Sequence, residues 1–280
     1  MSPIVHHPTV FRLGPLEITG FGLAVLAAFA ISQIICQREL WRRGQPLEAE
    51  AIPDLVMAAL LGTLVGAKTY YVILTGDLGA YLSRGGFVFW GGFIGAVIAC
   101  AAVIRFKKLN FLRIADVAGI AIAAGYSVGR TGCWAVGDDY GRPFSGFLAT
   151  QFPEGAPPST VAVMSQQFGV TFPSGTSPSD VVSVYPTQLY ETLMGAMMFA
   201  ILWRFRAHRH REGWLFGMYC VVAGVERFIV EFFRAKDDTL TFGLTTAQII
   251  GITIATIGVV LLVARRGNAT GGTAPRVRAA

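Results

Sequence analysis

Charge is what this sequence lacks most. Only 14% of its 280 residues are Asp, Glu, Lys or Arg, against roughly one quarter in a soluble domain. An ordinary soluble fold is therefore excluded. Cysteine is also scarce: Cys36, Cys100, Cys133 and Cys220 show no CxxC spacing, and three of them lie in apolar segments. Neither a disulfide framework nor a zinc site is supported, and such cysteines act as small hydrophobes. The first twenty residues have no basic stretch leading into an apolar run and a small-residue cleavage site, so no cleaved signal peptide is expected. No internal repeat stands out, which weakens an inverted-repeat transporter reading.

Apolar residues are abundant instead: 53% of the chain is hydrophobic and mean hydropathy is +0.54. Apolar runs long enough for a hydrocarbon core of about 30 Å recur along the chain. They predict seven spans near residues 20–36, 54–74, 87–104, 114–130, 186–203, 213–231 and 244–264. The fold class implied is an all-α integral membrane protein with about seven transmembrane helices and a small extracytoplasmic cap at 137–185, rich in Gly, Pro, Ser and Thr. Residues 1–265 read as one transmembrane domain and 266–280 as a disordered cytoplasmic tail.

Most of the 23 lysines and arginines fall in RELWRRG, RFKKLNFLR, RFRAHRHRE and the C-terminal tail. By the positive-inside rule those segments are cytoplasmic and the N-terminus lies outside. The basic pI of about 9.4 thus reflects orientation and anionic lipid head groups rather than nucleic acid. His6 and His7 near the N-terminus, with His208 and His210 in a basic loop, read as solvated or head-group-facing residues.

Ionisable groups inside spans are costly and mark function by default. Lys68 lies in GAKTYYV, beside Tyr71. Arg130, Asp138, Asp139 and Arg142 lie at and beyond the end of the fourth span, in GYSVGRTGCWAVGDDYGR. Gln188 and Glu191 begin the fifth in YPTQLYE. Glu226, Arg227, Glu231 and Arg234 close the sixth in GVERFIVEFFR. On the charge-derived topology the last three groups share the outer side. Arg227 and Glu231, four apart, can pair on one helical face, whereas Glu226 faces Val230 at that spacing and needs a partner elsewhere. The bland reading is helix-to-helix ion pairing. Its weakness is the concentration of these groups at one depth. Gly91 and Gly92, like Gly129, Gly132 and Gly137, fit close helix packing; beside Arg130 a glycine also opens backbone N–H groups to an anion. Two arginines from different spans suggest a clamp for phosphate, which a guanidinium fork binds bidentately. Chemistry alone therefore leads to a site for an anionic lipid at the outer surface.

From about residue 8 to 265 the chain resembles the prolipoprotein diacylglyceryl transferase family. The resemblance rests on HPTVFRLGPLEITGFGL, FVFWGGFIGA, GRTGCWAVGDDYGRP, YPTQLYE and ERFIVEFFR, in that order. It implies a bacterial inner-membrane enzyme that moves a diacylglyceryl group from phosphatidylglycerol to the lipobox cysteine thiol of a preprolipoprotein, releasing glycerol phosphate. No metal or organic cofactor is implied. Carried over by motif, Arg130 and Arg227 stabilise phosphate, Glu231 orients Arg227 or assists proton transfer, and Asp138 supplies a catalytic carboxylate. Lys68, Tyr71, Trp90, Cys133, Gly141, Arg142, Gln188 and Glu191 contribute to substrate binding, with Gly141 shaping the bend of the signature.

Departures from the family pattern are specific. Trp90 stands where other members have histidine, Cys133 and Val136 where they have asparagine, Phe21 for tyrosine, Lys68 for arginine and Asp138 for glutamate. Tryptophan cannot accept a proton. Either that histidine was never the base, or Asp138, Asp139 or Glu231 serves here, or the activity is altered. Cys133 reads as a packing residue, because the substrate brings the thiol. The rival reading is a non-catalytic phospholipid-binding relative or a lipid transporter.

Overall fold

The computed structural model describes residues 2–14, 16–83, 86–235 and 243–267. Among the described residues there are seven long helices, as the apolar runs predict: α1 (Gly20–Arg42), α2 (Pro46–Thr75), α3 (Phe89–Phe106), α4 (Phe111–Val136), α6 (Thr187–Phe205), α7 (Trp214–Val230) and α8 (Thr246–Ala264). A short helix, α5 (Val161–Phe168), lies in the cap region. Five of the seven (α1, α2, α3, α4 and α8) are long and apolar enough to cross a membrane by length and composition. Gln188 and Glu191 dilute α6, and α7 has 17 residues. Leu26, Val65, Ile98 and Val260 are exposed on the long helices, the inversion expected where lipid replaces water. The protein is an all-α membrane protein.

Three helices run further than hydropathy suggests, α2 by starting at Pro46 rather than near residue 54. α1 continues through RELWR because buried Glu39 takes Arg42 and Arg43, one turn on, at 2.5 and 2.9 Å. α4 continues past Arg130 to Val136, so Arg130 sits inside the helix, more than a turn before its end. There Gly137, at φ +69°, turns the chain out of the helix, and its N–H and that of Asp138 both donate to the Cys133 carbonyl, at 2.9 and 3.1 Å.

The described residues divide into two compact units, one within residues 2–32 and 118–267 and the other within 33–117. In the second unit α2 packs on α3 through facing glycines: a Cβ at Gly62 would lie 2.8 Å from the Ala99 Cβ, and one at Gly66 2.9 Å from the Gly95 Cα. In the first unit Gly217 and Gly224 meet Gly258 and Gly251 between α7 and α8 in the same manner. Small residues let backbones approach where no hydrophobic force acts between helices.

The first unit also holds the N-terminal strands and the 137–185 region. β2 (Val10–Leu13) and β3 (Leu16–Thr19) form an antiparallel pair, and β1 (Ile4–Val5) pairs in parallel with β4 (Thr150–Gln151). The latter pairing draws His6 inward, against the reading from sequence. Its ring stands edge-on to Trp134 at 4.6 Å and 5.3 Å from Phe152. His7 stays exposed beside Glu154. Tyr140, Phe152, Met164, Val184 and Ala235 form a small buried core here. The sequence patch VAVMSQQF is α5, started by Thr160, whose hydroxyl accepts from the Val163 N–H. At the C-terminus, Arg265 and Gly267 are tied down by the Arg211 N–H. The remainder of the expected tail lies outside the described residues.

Candidate functional site

Three helix ends of the first unit converge on one cluster of charge. Arg130 of α4 contacts Glu191 of α6 through Nη2 and lies 2.8 Å from Asp139 through Nη1. Arg234, just beyond α7, reaches the other oxygen of Asp139 at 3.1 Å and Glu191 at 3.6 Å. Two guanidiniums therefore share two carboxylates. Glu191 is buried, and both arginine side chains are nearly so. The bare Coulomb energy of such charges is large at low dielectric, and only pairing makes their burial tolerable.

The signature loop is woven into this cluster by its backbone. The Gly141 N–H donates to the Tyr185 carbonyl at 2.9 Å, the Arg142 N–H to the Phe233 carbonyl at 2.9 Å, and the Arg142 guanidinium to the Arg234 carbonyl at 2.7 Å. The Thr187 hydroxyl donates to the Asp139 carbonyl at 2.6 Å, and the Gln188 amide to that of Asp138 at 2.5 Å. Gln188 and Glu191 thus do two jobs from the first turns of α6: one holds the loop, the other holds the arginines. Asp139 has a left-handed backbone, φ +54°, a conformation that Asp and Asn tolerate better than most residues.

Arg227 is engaged differently. It pairs with Glu231 one turn on at 2.5 Å, as the spacing predicts, and the buried Glu231 keeps one oxygen without a hydrogen bond among the described residues. Glu226 finds its partner across helices, accepting from the Tyr126 hydroxyl of α4 at 2.9 Å. It lies within electrostatic range of Glu191, Arg227 and Arg130. The arginine that shares partners with Arg130 is therefore Arg234, with Arg227 linked through Glu226. The i, i+4, i+7 spacing of Arg227, Glu231 and Arg234 was a signal for this. Tyr126 has no signal in the sequence; Asp139, expected there only as an alternative base, and Arg234, expected only as one of the charges closing the sixth span, prove to be the partners of Arg130 and Glu191.

The glycines of the signature are packing residues where they touch anything. A Cβ at Gly132 would lie 2.7 Å from the Ala24 Cβ. The N–H groups of Gly129 and Gly132 belong to a helix that continues, so they do not form an anion-binding end. Cys133 is buried; Arg130 donates to its sulfur at 3.2 Å, and Asp138 is its hydrogen-bonding neighbour.

The adjacent aspartates are driven apart. Burial, and then the charge of Asp139, push the Asp138 carboxyl up to about 6. For Asp139 the desolvation acts upward, but Arg234 and Arg130 outweigh it and hold the carboxyl down at about 2. The ordinary value is 3.8. Asp138 thus favours the folded chain below pH 3.8 and loses that contribution as pH rises through about 6. Asp139 contributes above 3.8 and loses it as pH falls through about 2. Cys133, Asp138 and Asp139 bring ligand-type atoms within 4.8 Å of one another, but Asp139 has an arginine on each oxygen, which opposes a cation there.

Lys68, Tyr71 and Trp90 belong to the second unit. The Lys68 ammonium donates to the carbonyl and hydroxyl of Ser83 at 2.8 and 2.9 Å and lies 5.0 Å from the Phe87 ring centre and 5.9 Å from that of Tyr71. Trp90 is half-exposed and edge-on to Phe89 and Phe93.

Known proteins resemble the chain along most of its length. The profile of a family described as prolipoprotein diacylglyceryl transferase matches residues 8–264. A phosphatidylglycerol–prolipoprotein diacylglyceryl transferase of Geobacter sulfurreducens is 30% identical over 243 residues, which cover 83% of this chain and 84% of that protein. One from Xanthomonas campestris pv. campestris is 29% identical over 273 residues, 92% of this chain and 91% of that protein. With the fold, the charged helix ends and this full-length match in hand, the chain belongs to the prolipoprotein diacylglyceryl transferase family.

Proposed function

We propose that this transferase moves the diacylglyceryl group of phosphatidylglycerol to the lipobox cysteine of a preprolipoprotein. One observation carries the reading: Arg130 and Arg234 meet on shared carboxylates at the joined ends of α4, α6 and α7. That is an anion site built into helix ends of a membrane protein. In the proposed step the substrate sulfur forms a bond to the terminal glycerol carbon, and the carbon–oxygen bond to phosphate breaks. The phosphate leaves with the electron pair as glycerol phosphate, and the thiol proton passes to a carboxylate. The phosphodiester monoanion becomes a monoester with more negative charge, and fixed guanidiniums aimed at that oxygen lower the barrier.

Arg130 and Arg234 take the phosphate between them, while Arg227, held in orientation by Glu231, adds positive charge beside Glu226. Asp138 is the base, in the role a tryptophan at position 90 cannot fill. Its carboxyl, at about 6, is largely ionised at neutral pH and close enough to it to exchange a proton. Gln188, Glu191, Cys133, Gly141 and Arg142 hold the arginines and the loop in register. Lys68, Tyr71 and Trp90 serve lipid contact in their own unit. Residues 1–265 act as one transferase domain of the bacterial inner membrane with 137–185 as its cap, the N-terminus outside and the C-terminus cytoplasmic, a topology supported by the basic loops.

Purified protein in liposomes with phosphatidylglycerol and a lipobox peptide is expected to form the thioether and release glycerol phosphate. If folded protein releases none, and depletion of a host's own transferase is not rescued, the reading is abandoned for a lipid-binding relative without catalysis. The rate should rise with pH through a limb near 6. Asp138→Asn should remove that limb and slow transfer about 10²–10⁴-fold; an unchanged limb in that variant would move the base elsewhere.

A further inference from the structure

Asp139 differs from the other carboxylate of the arginine cluster in one respect. Glu191 is 1% exposed, whereas the Asp139 side chain is 43% exposed, over arginines that are 13% and 10% exposed. Its two oxygens bind different guanidiniums, at 2.8 and 3.1 Å. That is the bridging geometry two phosphate oxygens would adopt. Beyond it lies a cavity of about 280 Å³, bounded by Asp138, Asp139, Tyr140, Arg234 and the 156–157 and 167–168 segments. The Nε groups of Arg130 and Arg234 are buried and have no hydrogen-bond partner among the described residues, so each fork retains donor capacity.

We infer that Asp139 is an exchangeable counter-ion that occupies the phosphate position and must swing out before a phospholipid head group can bind. The inference rests on the proposed function and adds a specificity-determining residue to it. Charge balance gives the reason. Two arginines and two carboxylates are neutral together. A phosphodiester arriving beside both carboxylates would leave an excess negative charge in a poorly solvated site. Exchange of Asp139 for the phosphate keeps the cluster neutral while Glu191 stays in place. The partly exposed position and the adjoining cavity give the side chain somewhere to go. Asp139 then acts as a filter: a ligand enters only if its interaction with both guanidiniums exceeds that of the carboxylate it displaces.

A structural pin and an exchangeable counter-ion predict opposite signs. Short-chain phosphatidylglycerol would be titrated onto the detergent-solubilised full chain, with short-chain phosphatidylcholine as control. Asp139→Asn keeps the shape and a residue suited to positive φ but removes the charge, and it is expected to tighten phosphatidylglycerol binding about tenfold and to lower KM in the transfer assay. Asp139→Gly, compatible with the same backbone, decides the question if the Asn variant does not fold. Wild type that binds, with variants that bind equally or more weakly, would make Asp139 a fixed brace and overturn the inference while leaving the transferase reading intact. No phosphatidylglycerol binding by wild type or variants would overturn both.

Discussion

Arg130→Ala is expected to lower diacylglyceryl transfer by at least about 10³-fold and to destabilise the protein as well. The first effect follows from loss of a positioned cation at the departing phosphate, for which a single donor is worth roughly 10²–10³ in rate and a charged fork more. The second follows from Glu191, which is 1% exposed and would lose its closest cation. Stranding one member of a buried pair costs about 3–5 kcal/mol. The two effects separate in a double variant. Arg130→Ala with Glu191→Gln should regain thermal stability in detergent without regaining transfer. Arg130→Lys should fold and retain partial activity, since it keeps the charge and loses the fork. Glycerol phosphate release and thermal unfolding of the three variants check this, and wild-type release from the alanine variant would remove Arg130 from the chemistry.

Gly141→Ala is expected to abolish transfer without changing helix content. A Cβ at this position would collide with the Phe233 carbonyl oxygen and lie 2.8 Å from both the Thr187 Cγ2 and the Tyr185 Cβ. None of these atoms is the tip of a flexible side chain. The strand-like crossing at 141–142, held between Tyr185 and Phe233, would have to open, moving Asp138, the proposed base, out of register with Arg130 and Arg234. A displacement of about 1 Å can cost 10²-fold in rate. The seven long helices do not depend on this crossing, so far-ultraviolet circular dichroism should match wild type. A loss of helix signal in parallel with activity would instead make Gly141 a folding residue.

Much of this arrangement was legible in the chain. Hydropathy located all seven helices because a bilayer demands continuous apolar segments with internally satisfied backbones. It misjudged their ends, since α1 and α4 continue into polar sequence where Glu39 and Arg130 find partners. Arg227 and Glu231 were readable as a pair because helical spacing is a local property. Their neighbour Arg234 belongs to the same stripe, yet its partners, Asp139 and Glu191, come from elements separated by scores of residues. Periodicity carries no information about such partners. His6 was misread as a solvated residue for the same reason: only the β1–β4 pairing turns it towards Trp134.

The sequence by itself determined a membrane protein, its helices, its family and the residue types of an anion site, because each rests on composition, local period or ordered motifs. Tertiary structure alone decided that Arg130 and Arg234 share Glu191 and Asp139, that Tyr126 serves Glu226, and that the two aspartates of GDDYGR titrate in opposite directions. Identical neighbours in the chain acquire different chemistry when one faces two guanidiniums and the other faces a buried thiol and its charged twin. Coulomb energy depends on distances through space and on local solvation, and the folding of three helix ends onto one loop sets both.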